Sequence, residues 1–411
     1  MTSTDSTSTA PWLADFYRDL HRHPELSYQE TRTAERIAAK LGELGIDVTS
    51  GIGGTGVVGL VRNGDGPTVL LRADMDALPV EEKTGLPYAS TAHATDPDGI
   101  DVPVAHACGH DMHVTCLLGA LEVLVGEQAS WSGTVMAVFQ PAEELGSGSQ
   151  AMVDDGLFER FGSPDVVLGQ HVAPLPAGML AAHPGAAFAG ADSLRVLLHG
   201  VGSHGSMPEQ SVDPVVMAAA TVMRLQTVVS RTVSATDTVV VTVGSLQAGA
   251  KANVIPDRAE LALNIRTYDP DVRTGVLATI TRIVEAEAQA SNAPRKPEIT
   301  PIDSFPVLVN DADAVARTTA AFRARFGDEN VIDPGPGAAS EDVGVFATAS
   351  GAPICYWILG GADPAIFAKA KAEGKAPDLP PNHSPYYAPV IEPTITTGVS
   401  ALITAAREWL D

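Results

Sequence analysis

The stretch TVLLRADM, residues 68–75, is apolar until Arg72, and then charge arrives at Arg72, Asp74 and, just beyond, Asp76. A half-exposed strand alternates apolar and polar residues. This one does not, which predicts a strand buried on both faces, as in a parallel sheet covered by helices. In open α/β sheets functional groups gather beyond the carboxyl ends of the strands, so the three charges mark the end of the sheet where a site would lie. Neighbouring stretches repeat the pattern. GVVGLV (56–61) precedes the turn NGDGP, and GTVMAVFQ (133–140), DVVLGQHV (165–172) and APICYWIL (352–359) read as further strands. LADFYRDLHR (13–22), YQETRTAERIAAKLGELG (28–45) and a segment from about Asp111 through LLGALEVLV read as helices.

The texture changes after about residue 185. DSLRVLLHG, the helical DPVVMAAATVMRLQTVV, TVVVTVGSLQAG, RAELALNIRTY, the helical VRTGVLATITRIVEAEAQA and KPEITPID follow in the order β-α-β-β-α-β. That is the order of a ferredoxin-like unit. Residues 1–10 are expected to be disordered, residues 11–188 and 305–411 to form an α/β catalytic domain, and residues 189–304 to form an inserted α+β domain.

With 26 basic and 50 acidic residues the formal net charge is −24. A chain so acidic repels nucleic acid and anionic membranes at long range, so neither is an expected partner. The composition, 45% hydrophobic and 18% charged, is that of a globular protein. The start, MTSTDSTSTA, has neither the basic region nor the apolar run of a signal peptide. No stretch approaches the roughly 18 apolar residues of a membrane span. Cys108, Cys116 and Cys355 do not form a disulfide framework, which suits a reducing cytoplasm.

Where, then, is the chemistry? HACGHDMH (106–113) places three of the chain's 11 histidines and one of its 3 cysteines within eight positions. Cys108 and His110, with a permissive glycine between them, can reach one metal ion from a tight loop. Taken alone, the window divides evenly between a metal site and a histidine-rich loop of no consequence. Glu143 and Glu144 follow the strand GTVMAVFQ, where one carboxylate can bind metal and the other carry a proton. His171 ends DVVLGQHV, and His383 stands in the proline-stiffened loop LPPNHSPYYAP. A lone strand histidine is more often packed, and a lone loop histidine more often inert. Together, however, Cys108, His110, Glu144, His171 and His383 are enough donors for two ions if one donor bridges, and Glu143 is left over as a base.

RADMDALP (72–79), HACGHDMH, QPAEE, GQHV, SHGSMP, NVIPD, SED and NHSP occur in this order, and HRHPELSYQE (21–30) precedes them. The series resembles the metal-dependent amidohydrolases that include hippurate hydrolase, plant indole-acetyl-amino-acid hydrolases and bacterial aminoacylases, and it spans nearly the whole chain. The resemblance implies a zinc-exopeptidase-like catalytic domain with an inserted ferredoxin-like dimerisation (lid) domain. It implies hydrolysis of N-acyl amino acids, with a dipeptidase or small-amide deacetylase on the same scaffold as the alternative. By position, Cys108, His110, Glu144, His171 and His383 match metal ligands, Glu143 the general base, and Asp74 the acid that supports the site. His204, Asn253 and Arg266 match substrate contacts, and His204 is expected to reach the partner subunit of a homodimer. One or two divalent ions are implied: zinc first, with manganese, cobalt or nickel also accepted by such a donor set. Relatives commonly bridge two ions with an aspartate, and Cys108 is expected to take that part here. Two positions depart from the pattern, Gln170 beside His171 and Glu209 after SHGSMP. The loop GGADPAIFAKAKAEGK (360–375) resembles a subgroup acting on sizeable acyl chains. The sequence does not name the preferred acyl group or amino acid.

Overall fold

The computed structural model describes residues 10–375 and 378–410, so most of the N-terminal segment expected to be disordered lies outside the described residues. The chain divides into two compact units. The first holds the chain up to Ala187, Val309–Gly335 and the chain from Asp342 on; the second holds Phe188–Leu308 and Pro336–Glu341.

An eight-stranded sheet organises the first unit. Its spatial order is Asp47–Ile52, Gly56–Asn63, Gly133–Gln140, Thr68–Asp74, Val166–Pro176, Ile354–Ala362, Leu180–Ala181 and Val331–Ile332. The four strands starting at 133, 68, 166 and 354 run parallel. They are the near-continuous apolar runs of the sequence, and helices supply the second layer they need. Leu71, Phe139 and Leu168 from the strands join Leu117 and Leu121 of the helix His110–Gly126 and Leu402 of the helix Thr394–Leu410 in one buried cluster. Register brings the charged ends together. Asp74 pairs with Gln140, and Arg72 lies opposite Gly169, so His171, two residues further on, is level with Asp74.

Gln170, the departure beside His171, is used in this core and not in the site. Its Oε1 accepts from the Trp357 indole at 3.2 Å, and its Nε2 donates to the Gly398 carbonyl at 3.3 Å. Gly398 lets the helix Thr394–Leu410 approach this closely. A Cβ there would lie 2.6 Å from Cys116 Sγ, 2.8 Å from Leu359 Cδ2 and 2.9 Å from Gln170 Nε2. Helix propensity favours alanine over glycine by up to about 1 kcal/mol. Overpacking a filled core costs about 1–3 kcal/mol and wins. Gly398→Ala is therefore expected to lower the urea midpoint with an unchanged slope; a raised midpoint would show that the helix shifts freely.

The second unit holds a four-stranded antiparallel sheet in the order Val239–Ala248, Arg258–Thr267, Gly190–His199, Glu298–Phe305. With the helices Pro214–Thr227 and Pro270–Ala290 this is the ferredoxin-like arrangement. Burial alternates along Arg258–Thr267, and Leu261 and Ile265 pack with Met217, Ile280 and Val284 from the two helices. The segment Pro336–Glu341 joins this unit because Ala189 N–H donates to the carbonyls of Gly337 and Ala339, and Ser340 Oγ donates to Ala189 O. The unit thus runs from Phe188 to Leu308 and takes in Pro336–Glu341, reaching beyond the 189–304 expected from the sequence at both ends. No helix among the described residues is long and apolar enough to cross a membrane.

Candidate metal centre

Gly109 sets the local geometry of the first cluster. Its φ is +84°, and a Cβ there would strike Val172 Cγ1 at 2.5 Å, so only glycine fits between Cys108 and His110. His110 opens the buried helix His110–Gly126. Its Nδ1 lies 3.1 Å from Asp76 Oδ1, while its buried Nε2 has no hydrogen-bond partner. The carboxylate fixes the proton on Nδ1 and leaves the Nε2 lone pair for a ligand, the carboxylate–histidine arrangement of many metal sites. His171 repeats this. Its Nδ1 is 2.8 Å from the Val172 carbonyl and donates to it, and its Nε2 faces Cys108 Sγ at 3.4 Å.

Glu144 follows a sharp turn after the strand Gly133–Gln140. Its backbone N–H donates to Asp76 Oδ2 at 3.0 Å, its Oε1 is buried without a partner, and its Oε2 lies 3.3 Å from His383 Nε2. The His383 loop is tied down from both sides. His383 N–H donates to Ala107 O, and the Asn382 amide donates to the carbonyls of Cys108 at 3.0 Å and Val172 at 3.1 Å.

The donors fall into sets whose ligand atoms lie within 4.8 Å of one another. One set is Cys108, His110 and His171; another is Cys108, Glu144 and His383; a third is His110, Glu143 and Glu144. Cys108 belongs to the first two. A further set, Asp74, His110 and His113, is formally possible, but His113 is already committed. Its Nε2 accepts the Val172 N–H at 2.8 Å, so its proton is on Nδ1, which makes a short bond to Asp74. His113 therefore holds the backbone beside His171.

Asp74 does not act alone. Arg72, fully buried, donates to Asp74 at 2.6 Å, to Gln140 at 2.9 Å, to Tyr356 at 3.1 Å and to Asp342 at 3.3 Å. Burial would raise the Asp74 carboxyl, but Arg72, His110 and His113 outweigh it and hold Asp74 well below the usual carboxylate range. Burial pushes the Cys108 thiol far up, and the charges of Glu144, Glu143 and Asp74 push it the same way. Burial would lower His110, yet Asp74, Asp76 and Glu144 bring it up to about 10. Orphaned buried donors, a thiol that needs a cation to ionise and a surplus of carboxylate charge all fit a divalent ion with mixed sulfur, nitrogen and oxygen ligands.

Behind the helix start, the buried His21 lies between Asp111 at 2.6 Å and Glu82 at 3.1 Å. Burial opposes its charge, but the two carboxylates raise its pKa to about 9. A raised pKa gives stability that is complete below the unfolded value of 6.5 and lost as pH rises through about 9. This shift corresponds to roughly 3 kcal/mol. Chemical unfolding at pH 6 and pH 9.5 is expected to show that loss in the wild type and a much smaller one in His21→Gln; equal pH slopes would contradict it.

In the second unit, His204 pairs with Val254 on the two-stranded ribbon Ser203–His204 with Val254–Ile255, and Gly205 N–H donates to Asn253 O, so His204 and Asn253 are neighbours. Both are exposed, and His204 Nδ1 accepts the Ser206 N–H at 3.2 Å. Arg266 lies on Arg258–Thr267 and bonds the neutral Ser340 at 2.6 Å and Asn264 at 3.1 Å, not the surface carboxylate an ordinary arginine would find. Glu209 is exposed in the short turn Pro208–Gln210. Asp76 and Asn382 carry no role in the sequence alone, whereas His113, three residues after His110 at a helix start, reads there as a support for a ligand or a packed residue. Asp76 is visible as the last charge after TVLLRADM; Asn382 has no signal short of the fold.

The profile of peptidase family M20/M25/M40 matches residues 70–386, which takes in the strand Thr68–Asp74 from its third residue and every donor above. The chain belongs to peptidase family M20/M25/M40. The M20 fold accounts for the mixed sheet, and the chain is a metal-dependent hydrolase of the amidohydrolase type. Hippurate hydrolase of Campylobacter jejuni is 38% identical over 330 residues, 80% of this chain and 82% of that one. N-acetyl-L-cysteine deacetylase of Bacillus subtilis is 36% identical over 333 residues, 80% of this chain and 76% of that one. Among solved structures, an aminohydrolase of methicillin-resistant Staphylococcus aureus, described as putative, superposes with a TM-score of 0.84 at 29% identity, covering 97% of this chain and 96% of that one. A Bacillus subtilis dinuclear metal-binding peptidase of the M20 family superposes with a TM-score of 0.74 at 27% identity, covering 97% and 98%.

Proposed function

We propose that this M20 hydrolase cleaves the amide bond of N-acyl-L-amino acids, releasing a carboxylic acid and a free amino acid, at a site where Cys108, His110, Glu144, His171 and His383 would hold two divalent ions, Cys108 being within reach of both donor sets. The observation that carries the reading is the double membership of Cys108. Its sulfur lies within reach of His110 and His171 on one side and of Glu144 and His383 on the other. Zinc suits the thiolate and imidazole donors best, and manganese, cobalt or nickel also fit. When bound, such ions supply Lewis-acid polarisation of a carbonyl and acidify water.

This chain's residues supply the rest. Glu143, 4% exposed and with Oε2 3.8 Å from His110 Nε2, takes the proton of the attacking water and returns it to the leaving amine. Asp76 and the Val172 carbonyl keep His110 and His171 in the tautomers that leave Nε2 open. Arg266 offers a planar fork to the α-carboxylate of the substrate, and His204 and Asn253 offer donors to the amide or its oxyanion. Exposed apolar side chains on the second unit support a homodimer through that unit: Val216 and Met223 on one helix, 64% and 71% exposed, and Val240 on an edge strand, 49% exposed. Three free, buried cysteines support a reducing compartment such as the cytoplasm.

The relatives act, by their names, on hippurate and on N-acetyl-L-cysteine, so the test spans both acyl classes. Free amine release is measured from acetyl, long-chain and aromatic acyl amino acids and from dipeptides, with and without a chelator. Release from acyl amino acids that the chelator abolishes supports the reading. Release from dipeptides alone, or release indifferent to the chelator, would overturn it.

A further inference from the structure

The base Glu143 sits on a turn that its own residues would not adopt. Ala142, immediately before it, has φ +48° and ψ +42°, the left-handed conformation that L-residues other than glycine, asparagine and aspartate seldom take. Something must hold it there. The Ala142 N–H donates at 2.9 Å to Oε1 of Glu30, a carboxylate 0% exposed and 112 residues away in the chain.

Glu30 has no other evident reason to be buried. It occupies the N-cap position of the helix Thr31–Glu43, yet its side chain makes no cap bond. Among the described residues no cation pairs with it; its Oε2 accepts the Thr55 hydroxyl at 2.6 Å, and the Glu30 backbone N–H also bonds the carboxyl. A buried carboxylate without a counter-ion is costly, and such a cost persists where the group holds something in place. A second carboxylate anchors the other side of the same turn. Asp76 Oδ2 accepts the Glu144 N–H at 3.0 Å and the Ser27 hydroxyl at 2.6 Å. The two amides that flank Glu143 are thus each held by a buried acid, Glu30 before it and Asp76 after it.

We propose that Glu30 is a positioning residue whose carboxylate holds Ala142 left-handed and so sets Glu143 beside His110, while Asp76 serves the Glu144 side. This rests on the reading of Glu143 as the base. Glu30→Gln keeps an oxygen for the Ala142 N–H and an amide for Thr55, whereas Glu30→Ala removes the anchor. A misplacement of about 1 Å can cost about 100-fold in rate.

The experiment compares wild type, E30Q, E30A and the double variant E30A/A142G, with kcat and KM from amine release and metal affinity from cobalt(II) titration read at the thiolate charge-transfer band. In E30A, kcat is expected to fall about 10- to 100-fold, with KM and cobalt affinity within about threefold of wild type. E30Q is expected to stay within about threefold of wild type in kcat. Glycine adopts positive φ without strain, so A142G is expected to restore most of the loss in the E30A background. E30A at wild-type kcat, or a loss in E30A that A142G does not relieve, overturns the proposal. So does a loss matched by the cobalt affinity. If E30A does not fold, Glu30→Asp, which keeps the charge but falls short of Ala142, replaces it with the same expectations. The wild-type arm separates the two readings: no chelator-sensitive release there sinks the hydrolase reading, while equal release from wild type and E30A sinks this one.

Discussion

Glu143→Gln is expected to keep its metal and to lose about 10²–10⁴-fold in kcat, the range a positioned general acid–base group contributes. The substitution preserves shape at a 4% exposed position and removes only the ability to accept a proton. The experiment also separates two roles that geometry alone leaves side by side, because Glu143 lies within ligand distance of His110 and Glu144 as well as being the leftover carboxylate. As a base, its replacement leaves metal content and KM near wild type. As a ligand, its replacement takes metal and rate together. Elemental analysis of the same preparation used for kinetics reads the difference, and a Gln variant that turns over at the wild-type rate would remove Glu143 from the mechanism.

Cys108→Ala is expected to be more damaging than loss of His171 or His383, because it takes one ligand from the set with His110 and His171 and one from the set with Glu144 and His383. Loss of a partner that merely supports a ligand costs about 10–100-fold in metal affinity or activity. A shared thiolate should cost more than that for both ions at once. His171→Ala, by contrast, removes a donor from one of the two Cys108 sets. The readout need not be activity. Ion binding to the native state raises stability in proportion to the logarithm of ion concentration over Kd. Added zinc is thus expected to raise the midpoint of thermal unfolding in wild type and to leave it nearly unmoved in Cys108→Ala. Full metal occupancy and full rate in that variant would end the idea of a shared sulfur.

Much of this arrangement can be read along the chain. The run from Thr68 to Leu71 with charge at Arg72 and Asp74 speaks of a strand buried on both faces, ending where chemistry would sit, and the parallel register of Asp74 with Gln140 is its spatial counterpart. The alternation and element order after Gly190 likewise lead to a four-stranded antiparallel sheet. What sequence does not carry is the partner of each buried charge. Asp74 and Asp76 look alike as letters two apart, yet Asp74 bonds Arg72 and His113 while Asp76 orients His110 and anchors Glu144. His113 reads equally as a packed residue or a support for a ligand until the Val172 N–H is seen to occupy its Nε2. Gln170 looked like a polar intrusion beside a ligand, but successive strand side chains point to opposite faces, so it serves Trp357 and Gly398. Pro336–Glu341 joins the second unit through bonds to Ala189, a pairing that nothing local announces. Each of these is a long-range contact between groups whose types admit several partners, and only the closed fold selects one.

The proposed centre would hold two ions on five donors with Cys108 in common, and returning metal to stripped protein tests this most directly. Wild-type protein freed of metal by a chelator is titrated with zinc one equivalent at a time while hydrolysis of an N-acyl amino acid is followed. The rate is expected to start near zero and to reach its plateau at two equivalents per chain. A full rate before any metal is returned would contradict a metal-dependent hydrolase, and a plateau at one equivalent would contradict the shared pair.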